Sequence, residues 1–212
     1  MCITPGTLQR HTLVWITEAA WQNAYAGLPA ATPADWVARQ WPLIVRRRTM
    51  DDPADAVPVG LPLPPSSGKL KLAFSVADTA ILRHSKPLLL SEVQHKVPEH
   101  WRHTVKQLIN ATPHTRVFGS LAWSALTSLD YLSTSSDLDL IFDLSQDWPH
   151  DTAALQHIAA SAPMRIDAEF VRQDGWAVNW RELHSESSHL LIKTSGAPML
   201  VTREAFLADL GS

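Results

Sequence analysis

The stretch VFGSLAWSALTSLDYLSTSSDLDLIFDL spans residues 117–144. An apolar pair runs into Gly119-Ser120, a short amphipathic segment follows, and Ser136-Asp137-Leu138-Asp139-Leu140 opens a greasy run. On a strand, residues i and i+2 share a face, about 6.5 to 7 Å apart along the chain. Asp137 and Asp139 therefore project together, while Leu138, Leu140 and Phe142 point the other way into packing. Two like charges this close repel each other, and each loses hydration on a sheet face. A hard divalent cation relieves both problems. Oxygen ligands at this spacing suit Mg2+, which takes one or two carboxylates plus substrate phosphates.

Working outward, RIDAEFV (165–171) repeats the pattern, with Asp167 and Glu169 on one face of a second strand. If that strand lies beside the first, Asp167 completes a triad, with Glu169 its main rival. Gly119 permits a tight strand-to-helix turn that a residue with a Cβ would resist. Ser120 is a fitting N-cap, and the backbone N–H groups of the following helix offer a phosphate cradle. A phosphate cradle facing a metal-binding carboxylate pair is the equipment for phosphoryl or nucleotidyl transfer.

The remaining segments read as follows. Leu13 to Ile16 is a short strand, EAAWQNAYAG a helix ending at Gly27, PADWVARQ a second helix, and LIVRRR (43–48) a strand ending in three arginines. AVPVGLPL and KLKLAFSV are two further strands around PPSSG, the prolines marking an edge strand or a strand mouth. EHWRHTVKQLIN (99–110) is a helix with one apolar face. Asp151 caps a helix over TAALQHIAASA, HLLIK (189–193) is a strand, and Thr202 caps a last helix, REAFLADL. The expected architecture is α+β: an α/β accessory domain over 1–88 and a catalytic domain with a small mixed sheet over 89–212. Lys193 and Arg181 are candidate phosphate or partner contacts. Arg46, Arg47 and Arg48 alternate, so at most two of them share a face.

A net charge of −3 carries no polybasic signature for nucleic acid or a membrane surface, so any anion site must come from local placement. No apolar run reaches 18 residues, and the N-terminal residues lack the order of a signal peptide. The single cysteine, Cys2, allows no internal disulfide and fits a reducing cytoplasm. His95, His100 and His103 have no cysteine companions, which argues against zinc. Nine scattered tryptophans read as packing residues rather than a ligand cage.

The order strand, Gly-Ser, helix, Ser-Asp-Leu-Asp-Leu strand, second acidic strand resembles the nucleotidyltransferase superfamily that includes DNA polymerase β and the aminoglycoside nucleotidyltransferases. The run from Ser120 to Asp137 is longer than in its compact members, so DYLSTSS is expected to shape the substrate site. A closer resemblance covers nearly the whole chain: RHTLVWI, WPLIVRRR, VPVGLPL, the 117–144 stretch, RIDAEF, VNWRE and LIKT follow the order of the malonate decarboxylase holo-acyl carrier protein synthases, also called phosphoribosyl-dephospho-CoA transferases. Members commonly show Asp-Gly-Glu where this chain has Asp167-Ala168-Glu169. The resemblance implies a polymerase β-like catalytic domain and the donor 2′-(5″-triphosphoribosyl)-3′-dephospho-CoA. It implies as acceptor a serine on the acyl carrier subunit of malonate decarboxylase, with pyrophosphate leaving. Asp137 and Asp139 would hold Mg2+, Asp167 would ligate it and help deprotonate the serine, and Gly119 and Ser120 would cradle the β and γ phosphates. Two alternatives stand beside this: transfer to another acceptor, such as the citrate lyase carrier or a small hydroxylated molecule, and a non-catalytic binding module. Mutually repelling aspartates argue against the last.

Overall fold

The computed structural model describes residues 8–208 and 210, so Cys2 and Asp209 of REAFLADL lie outside the described residues. The chain divides into two compact units. The first runs to Pro87 and also takes in Leu126–Tyr131; the second comprises Leu88–Ala125 and the chain from Leu132 onward.

Among the described residues, the first unit is a five-stranded sheet with one α-helix of its own. Its strands are β1 (Leu13–Ile16), β2 (Leu43–Val45), β3 (Ala56–Pro62), β4 (Lys71–Ala77) and β5 (Ile81–Ser85), and α1 (Glu18–Tyr25) follows β1. The order is β4-β3-β2-β1-β5, antiparallel throughout. Thr17 caps α1 by accepting from the Ala20 N–H, as a β-region threonine ahead of a helix should. Tyr131 is buried in this unit and donates to the Pro62 carbonyl at 2.9 Å, and burial pushes its phenol above the usual range.

Three readings of this half are corrected. PADWVARQ is a run of turns, not a helix. Its backbone bonds mix spacings of three (Trp36 to Pro33), four (Arg39 to Asp35) and five (Trp41 to Trp36), so no helical ladder repeats. Tryptophans hold it instead: Trp21 Nε1 donates to Ala34 O at 2.7 Å and Trp36 Nε1 to Pro42 O at 3.0 Å. The proline-bearing β3 is an inner strand, not an edge. Its neighbour β2 has only three residues, so Pro62 lies beyond that ladder and Pro58 meets it only as an acceptor, from the Arg46 N–H. Finally, the strand in LIVRRR stops at Val45. Arg46 pairs with Asp52, and Arg48 donates to the carbonyls of Pro53 and Ala56, so both close a loop.

In the second unit the elements are α2 (Arg102–Ala111), β6 (Arg116–Phe118), α3 (Gly119–Thr127, whose last turn groups with the first unit), β7 (Leu138–Asp143), α4 (Trp148–Ala159), β8 (Ile166–Val171), β9 (Ala177–Asn179), α5 (Trp180–His184), β10 (His189–Ile192), β11 (Met199–Thr202) and α6 (Arg203–Leu207). The sheet β6-β7-β8-β9 is mixed: β7 and β8 run parallel, and both outer pairs are antiparallel. The hairpin β10–β11 joins β9 where Ala177 and Lys193 exchange N–H···O bonds of 2.9 and 2.7 Å. Alternation sorts the sheet's two faces. Val117, Leu138, Leu140, Phe142, Ile166, Ala168, Phe170 and Val178 join one buried cluster with side chains of α2, α4 and α5. That burial, of order 2 kcal/mol per large side chain, fixes the register of the opposite face, because a one-residue slip would drive aspartates into the core.

Thr202 caps α6 as expected, accepting from the Ala205 N–H. Asp151 does not cap its helix: α4 begins at Trp148 with Pro149 in its first turn, where a missing N–H costs nothing. Asp151 lies inside that turn, half-buried, and burial raises its carboxyl above the ordinary value. Five tryptophans (Trp21, Trp36, Trp101, Trp123 and Trp180) are buried, in keeping with the packing role read from the sequence. Among the described residues no helix is long and apolar enough to cross a membrane.

Candidate active site

Strand pairing brings two of the three aspartates together directly. In the parallel pair β7–β8, Asp139 is the register partner of Asp167, and adjacent strands lie about 4.8 Å apart. Ile141 partners Glu169 one step further along, so all four residues share the face opposite the core. Asp137 sits immediately before β7, which begins at Leu138 with an N–H bond to the Arg165 carbonyl. A turn precedes it: Ser136 N–H donates to Ser133 O at 3.1 Å, and Ser136 Oγ accepts from the Ser133 N–H at 2.9 Å. The STSS half of the connector is thus a closed turn that delivers Asp137 to the strand. Asp137, Asp139 and Asp167 are all half-buried.

Gly119 meets this face from the other side. Phe118, the last residue of β6, is the register partner of Asp139, so the chain leaves the sheet beside that carboxylate. Gly119 has φ +65°, a left-handed conformation that glycine adopts without cost. A Cβ placed there would lie 1.8 Å from Asp139 Oδ2 and 2.7 Å from its Cγ. The glycine is therefore needed twice, for the turn and for the seat of the carboxylate. α3 is counted from Gly119, so Ser120 falls inside its first turn rather than ahead of it as an N-cap. The left-handed turn at Gly119 carries the chain straight from strand to helix and leaves no residue between them.

The rival acid takes a different course. Glu169 is buried, and Lys193 Nζ donates to its Oε1 at 2.6 Å. Lys193 thus meets a fold carboxylate while its side chain stays 41% exposed. Arg181 likewise has a partner in the fold, since its Nη2 donates to the Ile166 carbonyl at 3.0 Å and its guanidinium lies 4.5 Å from the Trp180 ring centroid. One residue escaped the sequence reading. Asn179 Nδ2 donates to Asp167 Oδ1 at 2.8 Å, and Asn179 Oδ1 accepts from the Arg181 N–H at 3.0 Å. Its signal was present as Asn179-x-x-Glu182, the capping pattern that opens α5. Among the described residues, no three His, Cys, Asp or Glu side chains converge closely enough to hold a metal ion by themselves.

These features define an α+β protein with small sheets, one of which presents an acidic face beside a glycine-gated helix start. Family comparison narrows the class. Residues 9–87 match the phosphoribosyl-dephospho-CoA transferase MdcG N-terminal domain, and residues 88–204 match the phosphoribosyl-dephospho-CoA transferase MdcG C-terminal domain. A phosphoribosyl-dephospho-CoA transferase of Bradyrhizobium diazoefficiens is 38% identical over 209 residues, covering 94% of this chain and 92% of the relative. Enzymes of the same name from Xanthomonas campestris and Xanthomonas euvesicatoria are 33% and 35% identical, covering 94% and 92% of this chain and 97% and 95% of their own lengths. The chain belongs to the phosphoribosyl-dephospho-CoA transferase family. No solved structure matches it.

Proposed function

We propose that this protein transfers the phosphoribosyl-dephospho-CoA group from 2′-(5″-triphosphoribosyl)-3′-dephospho-CoA to a serine of the apo acyl carrier subunit of malonate decarboxylase. Pyrophosphate leaves, and the site is a Mg2+ centre of nucleotidyltransferase type built from Asp137, Asp139 and Asp167. One observation carries the reading: Asp139 is paired in register with Asp167, and its carboxylate is seated on Gly119. Family membership supports the group transferred.

The residues suit the ion. Mg2+ asks for one or two carboxylates and takes its other oxygens from water and substrate phosphate, so a complete protein shell is not required. The notch that a Cβ at Gly119 would fill holds one such carboxylate beside another on the next strand. When bound, the ion would neutralise charge on the triphosphate oxygens and polarise the phosphorus under attack. The side chains supply the rest. Asp137 and Asp139 would hold the ion beside the donor, and the first turn of α3, from Gly119 and Ser120, offers N–H groups to the leaving phosphates. The serine oxygen bonds to the α-phosphorus as the bond from that phosphorus to pyrophosphate breaks. The serine proton passes to Asp167.

The test is intact-mass measurement of the apo-carriers of malonate decarboxylase and citrate lyase after incubation with donor, Mg2+ and enzyme. A gain of one phosphoribosyl-dephospho-CoA group on the malonate decarboxylase carrier is expected. Gain of an adenylyl group from ATP alone, or no gain at all, overturns the reading. Asp137→Ala should slow labelling at least about a thousandfold, roughly 4 kcal/mol, with an unchanged melting temperature. Labelling that survives rules out its metal role.

A further inference from the structure

Asn179 uses both ends of its side chain, and the chemistry forces which end goes where. The Asp167 carboxylate can only accept, so it faces the amide nitrogen; the Arg181 backbone N–H can only donate, so it faces the amide oxygen. The two residues that follow grip the same point on β8. Trp180 Nε1 and Arg181 Nη2 both donate to the Ile166 carbonyl, at 3.3 and 3.0 Å, and Trp180 is fully buried. Three consecutive residues, Asn179-Trp180-Arg181, thus clamp Ile166-Asp167.

Helix capping accounts for one end of the amide. It does not account for the other, and the neighbouring acid shows why that end matters. Asp167 and Glu169 lie two residues apart on one face of β8, and Asn179 is the register partner of Glu169 on β9. Glu169 is buried against the Lys193 ammonium, so a cation of the fold offsets its charge. Asp167 is met by a neutral amide, which fixes the rotation of the carboxylate without cancelling its charge. A carboxylate held by a neutral donor keeps its full attraction for a cation supplied from outside.

We infer that Asn179 is a positioning residue for Asp167, holding that carboxylate oriented for a divalent cation at the Asp139–Asp167 pair. The inference rests on the metal reading given under the proposed function. Trp180 and Arg181 set the strand, and Asn179 sets the side chain.

The experiment is Mn2+ titration of the full-length protein, followed by electron paramagnetic resonance, with melting temperatures measured in parallel. Asn179→Ser keeps an equally good cap but is too short to reach Asp167 and serve Arg181 at once. It should bind Mn2+ about tenfold more weakly at an unchanged melting temperature. Asn179→Ala should weaken Mn2+ to the same degree and also melt lower. If Asn179→Ser binds Mn2+ like the parent protein, the residue is a cap only and the inference is overturned while the metal reading stands. Asp167→Asn separates the two. Parent protein that binds no Mn2+, or Asp167→Asn that binds as tightly as the parent, overturns the metal reading itself.

Discussion

The loop after β2 and the acidic face of the second unit spend carboxylates in opposite ways. In the loop, Asp52 is nearly buried and surrounded by donors: the Arg46 guanidinium, the Thr49 N–H at 2.7 Å, the Thr49 hydroxyl at 2.9 Å and the Ser75 hydroxyl at 2.7 Å. Its charge is cancelled within the fold, and nothing is left over for a ligand. On the acidic face, Asp139 and Asp167 are half-buried register partners, and the partner that orients Asp167 is neutral. Asp52 is given a cation of the fold; Asp139 is given a seat at Gly119 and Asp167 an orientation from Asn179. Strand β8 repeats the contrast within two residues, at Glu169 and Asp167.

The sharpest way to break the contrast is at the seat. Gly119→Ala places a methyl group where Asp139 Oδ2 and Cγ now lie, on a backbone that disfavours any Cβ. The aspartate can swing aside, so the fold should survive at a cost of about 1–2 kcal/mol from the left-handed conformation. The carboxylate cannot then stay where it is. Transfer activity should fall about a hundredfold or more, since a displacement near 1 Å at a reacting centre costs that much. Activity within threefold of the parent would show that the Asp139 seat is not functional.

Much of this face was legible in the sequence because two simple periods meet in it. Leu138, Leu140 and Phe142 demand a core, and period-two alternation then forces Asp139 to the other side; RIDAEFV repeats the arithmetic for Asp167. The β7–β8 register itself was not readable, because it depends on where two separate strands meet. The shorter elements were harder. β9, β11 and α5 have three to five residues each, too few to show any period, and tertiary bonds decide them. Glu169 looked equal to Asp167 from alternation alone, and the arrival of Lys193, just after β10, at one and of Asn179 at the other separates them. The three arginines of LIVRRR misled for a related reason, since the partner of Arg46 comes from a turn six residues on.

Lys193 tests the contrast from its other end. Lys193→Met removes the cation beside a buried carboxylate. Breaking a fully buried pair costs about 3–5 kcal/mol, and the part-exposed lysine here should reduce that to about 2 kcal/mol. The added change Glu169→Gln removes the stranded charge and should restore most of the melting temperature. If Lys193 also touches the donor, the double variant will fold well yet keep a raised KM; if it serves Glu169 alone, KM returns to the parent value with stability. Both outcomes separate a structural cation from a substrate contact at one position.

The smallest effect, and the one with a definite pH signature, belongs to Asp52. The Arg46 guanidinium holds its carboxyl well below the usual carboxylate range, against the opposing pull of burial, and bonds from Thr49 and Ser75 add to the depression. A depressed folded value means that the unfolded chain takes up the proton first as pH falls. The stabilisation is therefore complete above the ordinary aspartate value near 4, shrinks below it, and disappears once the folded carboxyl is itself protonated. Asp52→Asn should destabilise the protein by about 1–2 kcal/mol at pH 7, the worth of a charge-assisted bond that a neutral amide replaces only in part. Denaturant melts of parent and variant between pH 7 and pH 2.5 should converge below about pH 4. A gap that stays constant over that range would mean that the Asp52 charge contributes nothing and that shape alone closes the loop.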